Sequence, residues 1–151
     1  MTTRHTAGGR ALTTIILEVF RLNGRLLAAG DQLVADLGLT SARWQVLGAI
    51  ALSEKPQPVA GIARSMGLNR QGVQRIVNEM QEEGLVAFEP NPEHKRAQLV
   101  VLTKKGHTAY SAATELQVPW VNALAKGLSI ADIETALGLT AALRERLSSE
   151  G

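Results

Sequence analysis

Between about Ala11 and Leu37, apolar residues recur at helical spacing: Leu12, Ile15, Ile16, Val19, Leu22, Leu26, Leu33 and Leu37, with Arg21, Arg25 and Asp36 between them. The spacing predicts one long amphipathic helix. At 1.5 Å per residue it would reach on the order of 40 Å, longer than a lone small domain needs, so part of its apolar stripe is expected to meet another subunit. Gly24 and Gly30 argue against its being straight. Thr40 and Ser41 are cap candidates for a second helix carrying Trp44, Val46, Leu47, Ile50 and Ala51 and ending near Ser53. The stretch EKPQP then reads as a turn. A third helix fits Val59 to Met66, and a fourth runs from Arg70 to Glu83, where Gly84 stops it.

Two short β-type runs follow, Leu85 to Phe88 and Gln98 to Leu102, separated by EPNPEHKRA. Two prolines and an asparagine between them imply a hairpin loop longer than a tight turn. Thr103 is placed to cap a fifth helix through Ala109, Ala112, Ala113 and Leu116 toward Leu124, which Pro119 should kink or interrupt. Ser129 with Asp132 resembles a capping box for a last helix bearing Ile133, Leu137, Thr140, Leu143 and Leu147.

The segment VAGIARSMGLNRQGVQRIVNEMQ carries the most information. Ile62, Ala63 and Met66 point inward from the third helix and Val73, Ile76, Val77 and Met80 from the fourth, while Gly67 sits where the chain must reverse. These are the packing demands of a helix-turn-helix, whose first helix braces the second against DNA. The outward side of the second helix, entered at Asn69, carries Arg70, Gln71, Gln74, Arg75 and Asn78. Arginine, glutamine and asparagine make paired hydrogen bonds to base edges, and arginine also neutralises phosphates. A hairpin with His94, Lys95 and Arg96 near its tip, directly after such a pair of helices, describes a wing lying along a nucleic-acid backbone or in a minor groove. The expected fold is therefore mainly α with a small β-hairpin wing. Residues 1–151 read as a single regulator domain, with a winged helix-turn-helix lobe at 40–106 and dimerisation helices at 11–37 and 107–150.

Charge supports the placement. Residues 1–54 carry five basic and four acidic groups, residues 55–106 eight and five, and residues 107–151 three and five, so the only net basic excess of note, +3, falls on the helix-turn-helix and wing. Lys104 and Lys105 open the fifth helix, where the dipole disfavours them; a solvated face and a phosphate contact both fit. Cysteine is absent and His5, His94 and His107 are scattered, which argues against a disulfide framework and a metal site. No apolar run approaches the roughly 18 residues of a membrane span, and the polar start from Met1 to Arg10 has no signal-peptide core, so a cytoplasmic protein is expected.

The run NPEHKRAQLVVLTKKG resembles the wing signature of the multiple antibiotic resistance regulator (MarR) family, with Lys95, Arg96, Leu102, Thr103 and Gly106 matching. VQRIVNEMQEEGLV is similar to that family's recognition helix and the strand after it, so Arg75 falls on a commonly basic position and Gly84, Leu85 and Val86 on the helix exit. The long first helix and the last two match the family's dimer scaffold. The chain departs from the pattern twice: His94 stands where the family usually has aspartate, so an acid-to-arginine pair fixing the wing cannot form from that position, and Gly72 lies inside the recognition helix.

The resemblance implies a dimeric, sequence-specific regulator, an effector-responsive repressor on a pseudo-palindromic double-stranded operator. It also implies a small aromatic effector bound between scaffold and DNA-binding lobe; no other cofactor is expected. Trp44 would suit such a pocket, although a lone tryptophan at helical spacing is more often core. Two rivals stand against this reading. An enzyme is disfavoured because no Walker loop, HExxH or GxSxG is present. A winged helix used solely to bind protein would want an outward helix face poor in base-reading groups, and this one is rich in them.

Overall fold

The computed structural model describes residues 2–150, without the side chains of 149 and 150. The chain separates into two compact units with the boundary between residues 116 and 117, inside the fifth helix.

The first unit opens with α1, Ala7–Val34, capped by Thr6, whose hydroxyl accepts from the Gly9 amide at 2.9 Å. The helix starts four residues earlier than the apolar pattern predicts, because the capped first turn is built from Ala7, Gly8, Gly9 and Arg10 and carries no stripe. It continues without a break through Gly24 and Gly30. At Gly30 a side chain would collide with the Ser41 hydroxyl, which donates to the Leu27 carbonyl at 2.7 Å. The Ser41 amide donates to Asp31 Oδ1, also at 2.7 Å. The glycine is therefore the notch into which the start of the next helix fits.

A 3-10 turn, Ala35–Leu37, leads to α2, Ser41–Ala51, with Thr40 as its cap. The stretch read as a plain turn contains a two-residue strand, β1, Gln57–Pro58. Then come α3, Val59–Met66, and α4, Arg70–Glu82, followed by β2, Val86–Glu89, and β3, Leu99–Leu102. The antiparallel sheet has the order β1-β3-β2, with Val86 opposite Leu102, Glu89 opposite Leu99, and Gln57 opposite Val100. The core of this unit joins Val34 and Leu39, Val46 and Leu47 of α2, Ile62 and Ala63 of α3, and Val73, Val77 and Met80 of α4 to Val86 and Val100 of the sheet. Trp44, Met66 and Ile76 are half-buried and pack against it.

The fifth helix, α5, is Lys104–Ala125 and the last, α6, is Ile130–Glu150. Thr103 caps α5, accepting from the Gly106 amide at 3.0 Å while its own hydroxyl donates to the Gly84 carbonyl at 2.6 Å. Pro119 does not interrupt α5; it only withholds the one amide that would pair with the Glu115 carbonyl. In the second unit Ser129 Oγ accepts from the Asp132 amide at 3.4 Å at the start of α6.

Gly106 is buried, and an added Cβ would run into the Leu85 backbone carbonyl, whereas nothing lies within 4 Å of a Cβ added at Gly72 in α4. Opposite effects should follow. Gly106→Ala is expected to destabilise by about 1 to 3 kcal/mol, the usual scale of overpacking. Gly72→Ala is expected to stabilise by about 0.5 to 1 kcal/mol through helix entropy. Urea denaturation at fixed protein concentration measures both, and shifts of the same sign would contradict this packing.

Candidate nucleic-acid interface

Two features set α3 against α4. Gly67, at φ +66°, closes α3 with Leu68 donating to the Ala63 carbonyl at 2.9 Å and Gly67 to Arg64 at 3.2 Å, a left-handed exit that suits glycine. Asn69 then starts α4, its Oδ1 accepting from the amides of Gln71 at 2.8 Å and Gly72 at 3.1 Å. Asn69, expected from the sequence to touch DNA, thus has its carboxamide oxygen committed to holding the helix start and keeps only Nδ2 for a ligand.

With Val73, Val77 and Met80 buried, the other side of α4 must be outward. At about 100° per residue, Arg70, Gln74, Asn78, Gln71 and Arg75 follow one another around an arc of about 140°. All are exposed except Gln74, which is half-buried. The arc has two edges. Arg70, Gln74, Asn78 and Gln81 line a concavity of about 430 Å³ whose far wall is Phe88 of β2 with Arg96, Ala97 and Gln98 of the hairpin loop. Its floor is Pro58 with Val59 and Ala60, the first turn of α3, where Pro58 offers no side-chain cap. Gln71 and Arg75 lie on the arc's other edge, outside the concavity. The structure therefore brings together Arg70, Gln74, Asn78 and Arg96 of the predicted residues. Gln81 and Gln98 join them unpredicted, since neither stands out from an ordinary polar position in the sequence.

The hairpin loop is held from within. Asn91 Nδ2 donates to the Ala97 carbonyl at 2.9 Å, and Asn91 Oδ1 accepts from the Glu93 amide at 3.1 Å. Backbone bonds from His94 to Asn91 and from Ala97 to His94, both 3.2 Å, complete the coil. So Asn91 supplies the restraint that His94 cannot. His94, Lys95 and Arg96 are all exposed, and only Arg96 reaches the concavity.

Charge is sorted along α4. Arg43 of α2 pairs with Glu83 at 2.5 Å and Glu79 at 3.4 Å, and the Glu83 hydrogen bond holds its guanidinium pKa above the usual value. Lys105 Nζ donates to the Glu83 carbonyl at 2.7 Å, at the negative end of the helix. That bond gives Lys105 a role neither sequence reading named, holding the end of α4 to the start of α5. Arg70, Arg75, Lys95 and Arg96 make no ion pair among the described residues. In the same residues no group of three or more His, Asp or Glu is placed to hold a metal ion, and no helix is long and apolar enough to cross a membrane.

The sequence model of the MarR family matches residues 37–97, the stretch from the end of the 3-10 turn through α2, α3, α4 and the wing loop. The chain belongs to the MarR family. It is thereby a DNA-binding transcriptional regulator with the winged-helix fold. An uncharacterized protein of Mycobacterium tuberculosis is 35% identical over 123 residues, covering 82% of this chain and 85% of that protein. The transcriptional activatory protein BadR of Rhodopseudomonas palustris is 26% identical over 106 residues, 69% of this chain and 61% of BadR. Among solved structures, CouR of Rhodococcus jostii RHA1, crystallised with p-coumaroyl-CoA, superposes with a TM-score of 0.76 at 21% identity, over 86% of this chain and 91% of CouR. Its likeness is one of fold.

Within this MarR-family wing, the Asn91 clamp makes a separable test. Asn91→Ala is expected to speed amide hydrogen exchange between Glu93 and Ala97 and to weaken duplex binding, while global stability falls by only about 1 kcal/mol. Unchanged exchange across the loop would show that other interactions hold it.

Proposed function

We propose that the protein acts as a homodimer that seats one α4 in each half-site of a pseudo-palindromic operator and represses by occupying it. The observation that carries this reading is the outward face of α4. Its two arginines and three carboxamides stand clear of internal ion pairs, facing or flanking a concavity whose opposite wall holds Arg96. Arginine and carboxamide groups are the side chains that read major-groove edges, and unpaired cations are what phosphate neutralisation needs. The rich polar face also ranks this reading above a protein-binding winged helix and above an enzyme. The likeness to BadR, a transcriptional activatory protein, favours activation as the second reading. A promoter fusion compared with and without the protein decides the direction.

Apolar surface supports the dimer. In α1, Phe20 is 69% and Leu22 53% exposed beside Ile15, Ile16 and Val19; in α6, Leu137 is 67% and Leu147 71% exposed. Soluble monomers seldom leave such stripes in water. Two-fold symmetry then sets the half-sites about one helical turn apart. The p-coumaroyl-CoA in CouR supports a small aromatic effector here. Trp44, half-buried against the core, is assigned to packing instead of the effector.

The α4 face and the dimer are tested separately. Arg70→Ala with Arg75→Ala should weaken operator binding by about 1 to 3 kcal/mol for each arginine that reads a base, or lower the salt slope by about one for each phosphate no longer neutralised. Unchanged affinity and slope in a folded double variant would hand the lead to protein binding. Leu137→Glu with Leu147→Glu should shift sedimentation toward monomer, and an unaltered dimer would place the interface elsewhere.

A further inference from the structure

Gln74 and Asn78 are four residues apart on α4, and Gln74 Nε2 donates to Asn78 Oδ1 at 3.0 Å. Both side chains line the concavity, and neither makes another side-chain hydrogen bond among the described residues. One bond within the pair leaves Gln74 Oε1 as an acceptor and Asn78 Nδ2 as a donor. Reversing the bond exchanges the two residues' roles but still leaves one acceptor and one donor. With the bond made in either direction, the pair presents one free acceptor and one free donor.

The four major-groove edges differ in what they ask of such an array. Within a single base, guanine shows two acceptors, cytosine a donor, thymine an acceptor beside a methyl, and only adenine shows a donor, N6, beside an acceptor, N7. Across a G·C pair O6 lies beside N4, so a selected G·C position is the outcome that separates bridging a pair from reading adenine. Isolated Gln and Asn side chains also meet adenine, but each must first be immobilised, which lowers affinity. Here the mutual bond and the half-buried position of Gln74 have already removed part of that freedom. Arg70, in the same concavity, has donors only, so it matches guanine or phosphate and cannot be the source of adenine preference.

We infer that Gln74 and Asn78 act as one unit that specifies a single A·T base pair in each half-site, adenine being read through N6 and N7. This rests on the reading of α4 as the base-reading helix. The test selects duplexes from a random pool with the wild-type protein and with Gln74→Ala, Asn78→Ala and the double variant. One half-site position should be held as A·T by the wild type. Each single variant should relax that same position, and the double variant should be no more relaxed than the singles. Replacing that adenine by 7-deazaadenine, which lacks N7, should weaken wild-type binding about tenfold and leave the double variant within about twofold.

If the singles relax two different positions, or the selected position is not A·T, or 7-deazaadenine has no effect on the wild type, the paired readout is overturned while DNA binding stands. If the wild type enriches no duplex at all, the proposed function fails and takes this inference with it. The base-analogue arm uses unaltered protein, so a poorly folded variant does not protect the idea.

Discussion

Burial of one strip of α4 governs most of what the first unit does. Val73, Val77 and Met80 are between 0% and 1% exposed, packed among Ile62 and Ala63 of α3 and Val46 and Leu47 of α2. Each such side chain contributes about 1.5 to 3 kcal/mol relative to exposure, whereas the polar residues on the far side gain little from any one orientation. The core therefore sets the rotation of the helix, and a slip of one residue would swing the outward face by about 100°. Which carboxamide meets which neighbour is a consequence of that apolar grip. Ala63, small and buried on α3, belongs to the same cluster.

At the end of α4, Glu79 and the capping Glu83 are paired inside the protein, whereas the arginines of the helix are not. Exposed or half-exposed pairs such as Arg43 with Glu79 and Glu83 contribute about 0.2 to 1 kcal/mol each, so they are weak as glue. Their larger effect is electrostatic. The acidic end is tied back to α2 and α5, through Arg43 and Lys105, and the arginines of the concavity face solvent without a competing internal carboxylate. A polyanion approaching that side meets cations whose charge is not already spoken for.

The helix-turn-helix is readable in the sequence because its signals are local: apolar spacing, glycine at the exit of α3, asparagine at the start of α4. The bounds of α3 match the reading and those of α4 differ by one residue at the end. The first wing strand shifts by one residue and the second starts one residue later with its end unchanged, because strand ends are weakly marked. Interactions between distant parts of the chain are what the sequence does not display. Strand β1 is two residues beside a proline, and only its pairing with Leu99 and Val100 makes it a strand. Arg43 meets partners 36 and 40 residues away. Asn91 has the character of a turn residue, and its hold on Ala97 depends on how the loop coils. In the site, the residues of α4 are legible by type and face. That Gln74 and Asn78 bond each other, and that Arg96 alone of the wing-tip cations reaches their concavity, requires the three-dimensional arrangement.

Two polar joints lie in series between α1 and α4. At the first, the start of α2 is fastened to α1 by the Ser41 hydroxyl on the Leu27 carbonyl and the Ser41 amide on Asp31, with Gly30 leaving room for both. Ser41 is itself buried, so breaking that joint would strand polar groups away from water, at about 1 to 3 kcal/mol for each one left unpaired. At the second, two residues further along α2, Arg43 grips the last turn of α4. Displacing α1 against the lobe must therefore either break the first joint or carry the start of α2 with it, and the second joint passes that motion to the end of α4 that bears Glu79 and Glu83. The buried joint is the stiffer of the two, so the half-exposed Arg43 pairs limit how much of that motion reaches α4.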